Sequence, residues 1–221
     1  SMDAASIWGI IAASQKRRWV TWLAILLIFL IGLSRIYLGV HFLHDVVSGW
    51  LVGGLLLWGY LAIEKPISTW LNKKPFSLQV IYAFTFSLFL IALALLARAL
   101  ISGWEIPAEW SQNSFIVSET LPDPLNLDGS VTLAGVAFGF LGGLAWWIKK
   151  FGTPQVGKKS AKLILRYLVG MVGVAILYVG LKLLFPIEPE YLGLIFRYIR
   201  YSLVGVWVSA GAPFIFKKVN L

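Results

Sequence analysis

Six stretches of the chain are apolar over a length that only a membrane demands. A helix crossing roughly 30 Å of hydrocarbon needs about 20 mostly apolar residues. Such stretches run approximately from Trp19 to Arg35, Asp45 to Ile63, Leu78 to Ile101, Ser130 to Ile148, Ala161 to Phe185 and Ile195 to Phe216. In hydrocarbon a backbone N–H or C=O has no water to bond, so each span must satisfy its own backbone, and helices do this within one segment. Composition closes the other routes: 59% of the 221 residues are hydrophobic, 13% are charged and the mean hydropathy is +0.81. These values exclude an ordinary soluble domain, a disordered chain and a nucleic-acid partner. The expected fold is an all-α, polytopic integral membrane bundle of six full spans.

The net charge of +9 then reads as topology, because basic residues in short loops stay on the cytoplasmic side. Lys16, Arg17 and Arg18 precede the first full span; Lys65, Lys73 and Lys74 follow the second. Lys149, Lys150, Lys158, Lys159 and Lys162 lie between the fourth and fifth, and Lys217 and Lys218 follow the sixth. These four places are expected inside. The other connections hold Glu105, Glu109, Glu119, Asp123 and Asp128, and then Glu188 and Glu190, and are expected outside with the short link from Ser34 to Asp45. No segment has the pattern of a cleaved secretory signal. Trp-rich interfaces and the simple alternation suggest a bacterial cytoplasmic membrane.

Residues 1–14 break the pattern. They are apolar and rich in small residues, yet as a helix they reach only about 21 Å. With Lys16 to Arg18 inside, they read as the lower part of a truncated first helix whose upper turns lie before residue 1; an interfacial helix behind a natural start at Met2 is the alternative.

The sharpest chemical signal lies at the outer end of the first two full spans, in Ser34-Arg35-Ile-Tyr-Leu-Gly-Val-His41-Phe-Leu-His44-Asp45. Arginine, two histidines and an aspartate are costly beside hydrocarbon and mark function by default. With no cysteine in the chain, thiolate chemistry and disulfides are excluded. If His41 enters a helix, His41, His44 and Asp45 share a face at spacings of three and four. Three readings fit. The first is phosphoryl transfer, with a nucleophilic His oriented by a carboxylate and a guanidinium holding phosphate oxygens. The second is a metal site of His41, His44 and Asp45. The third is purely structural, with imidazoles and carboxylate satisfying one another and the helix ends.

The spacing Ser-Arg, five residues, His, three residues, Asp resembles the third signature motif of the type 2 phosphatidic acid phosphatase family, and every fixed position matches. The resemblance implies a helical membrane enzyme, related to vanadium haloperoxidases, that removes phosphate from lipid phosphates and diphosphates at the outer face. It implies that His41 is the nucleophile, that Asp45 orients it and that Arg35 binds phosphate, with Ser34 a further motif position near the substrate. It implies no metal and no cofactor, and leaves His44 without a role.

The family's first motif, Lys, six residues, Arg-Pro, and its second, Pro-Ser-Gly-His, occur nowhere in these residues. Their cations would stabilise phosphate charge and their His would protonate the leaving group. Ser1 to Gly9 resembles the small-residue helix that follows the second motif, so the expectation is an amino-terminally truncated phosphatase, inactive as these 221 residues alone. Residues 1–63 are expected to be the carboxy-terminal part of the phosphatase domain, 64–77 a cytosolic connector with a short interfacial helix, and 78–221 a four-helix membrane extension.

Within that extension, outer loop 102–129 contains Trp104, Trp110 and Phe115 and reads equally as a lid or as an interfacial anchor. Gly135, Gly139 and Gly143 recur every four residues and mark a close-packing face, for a helix of the same chain or for a homo-oligomer. Arg197 and Arg200 are three apart, flanked by Tyr198 and Tyr201, and are candidates for an anionic lipid headgroup or for pairing with Glu188 or Glu190. The expected partners are a lipid phosphate substrate and membrane lipids. The competing function is a non-catalytic protein that binds or moves lipids and keeps the motif for structure.

Overall fold

The computed structural model describes residues 2–15, 17–39, 42–105, 107–108, 123, 125–153, 160–186 and 188–221. Among them there is no strand. The helices are α1 (Met2–Gln15), α2 (Arg18–Tyr37), α3 (Leu43–Asn72), α4 (Phe76–Leu100), α5 (Asp128–Phe151), α6 (Ser160–Leu184) and α7 (Glu190–Val206). A π turn, Trp207–Gly211, joins α7 to α8 (Ala212–Lys218). Six helical segments have the length and hydropathy of membrane spans, as the apolar stretches predict, the last of them running from Glu190 to Lys218. Large apolar side chains point outward along them; Trp22, Leu51 and Leu55 are 72%, 65% and 66% exposed. Surfaces of this kind suit lipid and are untenable in water. The chain divides into two compact units, Ser1–Lys73 and Lys74–Leu221.

In the first unit small residues let the helices approach. Lipid tails are as apolar as leucine, so contact between spans rests on close van der Waals packing. Ala5 of α1 lies against Gly53 of α3, where an added Cβ would stand 2.8 Å from the Ala5 Cβ and from the Met2 carbonyl. Gly9 faces Leu57 in the same way, at 2.3 Å. Gly32 of α2 receives Trp50 and Val46 of α3, and Val46 is fully buried. Trp50 also meets the Phe29 ring, 6.0 Å away.

The connector expected from residue 64 differs from the structure. Helix α3 does not stop at Ile63 but continues through Pro66 to Asn72. A proline lacks the N–H that an interior helical position would use. The surrounding residues from Glu64 to Trp70 are exposed, so the carbonyl it leaves free is not sealed away. The break is confined to the few residues before Pro75, which caps α4 in an extended conformation. Gln79 secures the turn by donating from its side-chain nitrogen to the Lys74 carbonyl at 3.0 Å.

The second unit is built around α5, which packs on α4 and α7. Gly135, Gly139 and Gly143 all face α7 and its π turn. An added Cβ would stand 2.7 Å from the Tyr198 carbonyl at Gly135, 1.8 Å from the Ser202 carbonyl at Gly139 and 2.2 Å from the Ser209 hydroxyl at Gly143. Gly205 answers from α7, 2.6 Å from the Phe140 nitrogen. The stripe expected as a possible homo-oligomer seam is therefore filled by the chain's own helix, because two glycine-bearing helices close on each other leave no room for a third. Ser87 of α4 and Tyr198 of α7 share a hydrogen bond of 2.7 Å, and Phe138 of α5 stacks on Tyr198. Basic helix ends converge: Lys217 sits 3.9 Å from the Phe151 ring centroid, and Lys150 stands over Trp146.

Candidate active site at the turn between α2 and α3

The turn begins in the last helical turn of α2, which holds Ser34 and Arg35. The Leu38 amide donates to the Ser34 carbonyl and the Gly39 amide to the Ile36 carbonyl, both at 3.0 Å. Gly39 then takes a φ of +69°, a left-handed conformation open to glycine without a Cβ clash. This is what redirects the chain between the two spans. Val40 and His41 lie outside the described residues, so the expected nucleophile and its expected place on a helical face are not part of the described geometry. The chain reappears at Phe42, extended at φ −78° and ψ 160°, and α3 starts at Leu43.

Asp45 is the third residue of α3 and turns its carboxylate back onto the helix start. Its Oδ2 accepts from the Phe42 amide at 3.1 Å, while its own amide donates to the Phe42 carbonyl at 3.1 Å. This is the returning half of a capping box, and it holds an anion where the helix dipole favours one. The other oxygen, Oδ1, is 3.2 Å from His44 Nε2. The His44 ring lies nearly parallel to that of Phe42, with centroids 5.6 Å apart. A carboxylate has about four lone-pair directions, so it can hold several donors at once. Part of the structural reading is thus realised in the His44–Asp45 contact. Phe42 is the residue that sequence reasoning passed over: it supplies the capped amide and the ring against which His44 rests.

Arg35 is exposed on the final turn of α2. Ser34 gives its hydroxyl to the Ile31 carbonyl of its own helix at 2.8 Å, which ties that donor to the backbone. The turn thus brings Arg35 and Asp45 to the facing ends of consecutive spans, the cation at a helix C-terminus and the anion at a helix N-terminus. Each lies where the dipole stabilises its charge.

The other candidates, Arg197 and Arg200, belong to α7 in the second unit. Arg197 pairs with Asp128 at the start of α5, and not with Glu188 or Glu190. Asp128 sits 69 positions earlier, which no local spacing could reveal. Arg200 is 9% exposed, with its guanidinium carbon 5.4 Å from the Tyr178 ring and 5.2 Å from the Tyr201 ring.

Fold and turn together define a class: an integral membrane helical protein with an arginine and an aspartate at opposite lips of an interhelical turn. Comparison with known families narrows it. Residues 2–69 match the family model described as PAP2 superfamily, and residues 131–221 match a second, described as PAP2 superfamily phosphatase, transmembrane extension. Phosphatidylglycerophosphatase B of Bacillus subtilis (strain 168) is 33% identical over 82 residues, an alignment covering 33% of this chain and 40% of that protein. No solved structure gives a significant match. The chain belongs to the PAP2 superfamily and carries the membrane extension found among its phosphatases.

Proposed function

We propose that this chain belongs to a membrane phosphatase that hydrolyses a lipid phosphate or a polyprenyl diphosphate at the non-cytosolic face through a phosphohistidine on His41. The observation that carries the reading is the Ser34-Arg35, His41, Asp45 spacing across the turn between α2 and α3, inside the region matched to the PAP2 superfamily. In the first step an imidazole nitrogen of His41 bonds to phosphorus as the bond from phosphorus to the leaving oxygen breaks. The electron pair departs with that oxygen, which takes a proton from a general acid. Arg35 holds the phosphate oxygens, and the carboxylate of Asp45 orients the imidazole and stabilises its positive charge. Water then attacks phosphorus, the P–N bond breaks and inorganic phosphate leaves.

The first-motif cations and the second-motif acid are not among these 221 residues, so turnover is assigned to a protein that supplies them. The chain spans 40% of the length of the curated relative it matches, and that relative's name makes phosphatidylglycerol phosphate the first substrate to try. The test is phosphate release by the purified complete protein and its His41→Ala variant. A loss of at least about 1,000-fold is expected, as for removal of a nucleophile. Acid-labile, base-stable label should appear on the wild-type protein when turnover of radiolabelled substrate is quenched. Undiminished turnover in the variant overturns the assignment.

A further inference from the structure

The second unit encloses a cavity of about 400 Å³ between the start of α5, the end of α6 and the first three turns of α7. Its ionic lining is mixed. Lys182, Arg197 and Arg200 contribute cations, and Asp123, Asp128, Glu188 and Glu190 contribute carboxylates. Pairing of Arg197 with Asp128 removes one of each. Two cations then share the cavity with three carboxylates, so the lining suits neither a purely anionic nor a purely cationic guest.

Along α7 the charges are also sorted by depth. Glu190 opens α7, and Arg200 lies ten residues further along, about 15 Å down the helix axis. Counted from Ile195, where the apolar stretch begins, Arg200 lies about 8 Å into the span. Arg200 is more than nine-tenths buried, its Nε has no hydrogen-bond partner, and the side chain lines the cavity between the faces of Tyr178 and Tyr201. Aromatic faces soften the desolvation of a guanidinium but offer its Nε–H no acceptor. A buried guanidinium with an unpaired donor inside a span is expensive unless an anion joins it. Phe185, Phe196 and Leu194 add apolar wall beside the charged groups, with the two phenylalanine rings 4.7 Å apart.

We infer that this cavity binds the headgroup of a zwitterionic phospholipid carrying a primary ammonium. The phosphate sits on Arg200 and Lys182, and the ammonium reaches the carboxylates of Glu188 and Glu190 near the mouth. A lipid in a leaflet carries its phosphate nearer the tails and its ammonium nearer water, the same order as Arg200 and Glu190 along α7. The apolar wall takes the glycerol and the first acyl carbons, which a free phosphate lacks. This site lies wholly within residues 123–200 and is independent of the chemistry assigned to His41.

The test is native mass spectrometry of the purified, delipidated full chain titrated with dihexanoyl phosphatidylethanolamine, dihexanoyl phosphatidylglycerol and inorganic phosphate. The wild type should retain the ethanolamine lipid at least about tenfold better than the glycerol lipid, and inorganic phosphate should not displace it. Arg200→Gln should lower that retention at least about tenfold, in line with loss of one partner from a desolvated charge pair. Should Arg200→Gln fail to fold, Glu188→Gln combined with Glu190→Gln decides, because both side chains are exposed. That variant should abolish the preference for the ethanolamine lipid. Equal retention of both lipids by the wild type, displacement by inorganic phosphate, or an unchanged preference in the rim variant overturns the inference.

Discussion

The two units handle charge in opposite ways. At the turn between α2 and α3, Arg35 and Asp45 sit at helix ends, where backbone dipoles and water support them. In the second unit Arg200 is swallowed between tyrosine rings, and Arg197 is held by a carboxylate from another helix. Charges on helix ends can be exchanged with little effect on the fold, so substitutions there report on chemistry. Charges inside a bundle are part of the packing, so substitutions there report on stability and binding together. The region with the least internal support is therefore the one where mutational kinetics are easiest to read.

The sharpest way to break this contrast is Asp45→Asn in the complete protein. The amide can still accept from the Phe42 amide, so the unfolding temperature should hardly move. It cannot stabilise a charged imidazole as a carboxylate does, and phosphate release should fall by roughly 100-fold or more. A parallel loss of activity and of folded protein would place Asp45 in the structural category and remove the distinction between the units. Next in size is a matched glycine pair in α5. Gly139→Ala puts a methyl group 1.8 Å from a backbone carbonyl, whereas Gly142→Ala meets nothing within 4 Å. The first should destabilise the second unit by about 2 kcal/mol or more. The second should be neutral or slightly stabilising. Thermal unfolding in detergent separates them, and equal behaviour would mean that α5 and α7 do not close on their glycines. Smallest is Ser87→Ala, which leaves the Tyr198 hydroxyl without its α4 partner. A loss of about 1 kcal/mol in the same assay is expected, with phosphate release unchanged.

What could be read from residues alone follows from which interactions are local. The spans are legible because hydrocarbon thickness imposes a run length on composition, and all six apolar stretches lie on long helices. The extension of α3 to Asn72 is not, since Glu64, Lys65 and Pro66 look like a loop until an existing helix propagates through them. The Gly135, Gly139 and Gly143 stripe announces a close neighbour, but its period does not say which helix answers, and that is supplied by Gly205 and Ser202. At the turn, the Arg35 and Asp45 positions were legible from motif spacing. The role of Phe42 and the contact between His44 and Asp45 needed the backbone geometry of the α3 start. The Arg197–Asp128 pair left no trace in spacing, because its members lie 69 positions apart on different helices.

The π turn at Trp207–Gly211 has a consequence for anyone aligning relatives. Its closing bond runs from the Ala212 amide to the Trp207 carbonyl, five residues back where an α-helix would use four. One surplus residue is thereby absorbed, and everything beyond it is rotated by about 100° relative to an unbroken helix. Phe214, which meets Trp146 and Phe151 of α5 below the turn, is thereby returned to within about 20° of Ser202, which meets Gly139 of α5 above it, where an unbroken helix would leave the two about 120° apart. A helical wheel drawn across the whole of this last span assigns its lower half to the wrong face, and a relative one residue shorter here can keep both halves in place with no turn at all.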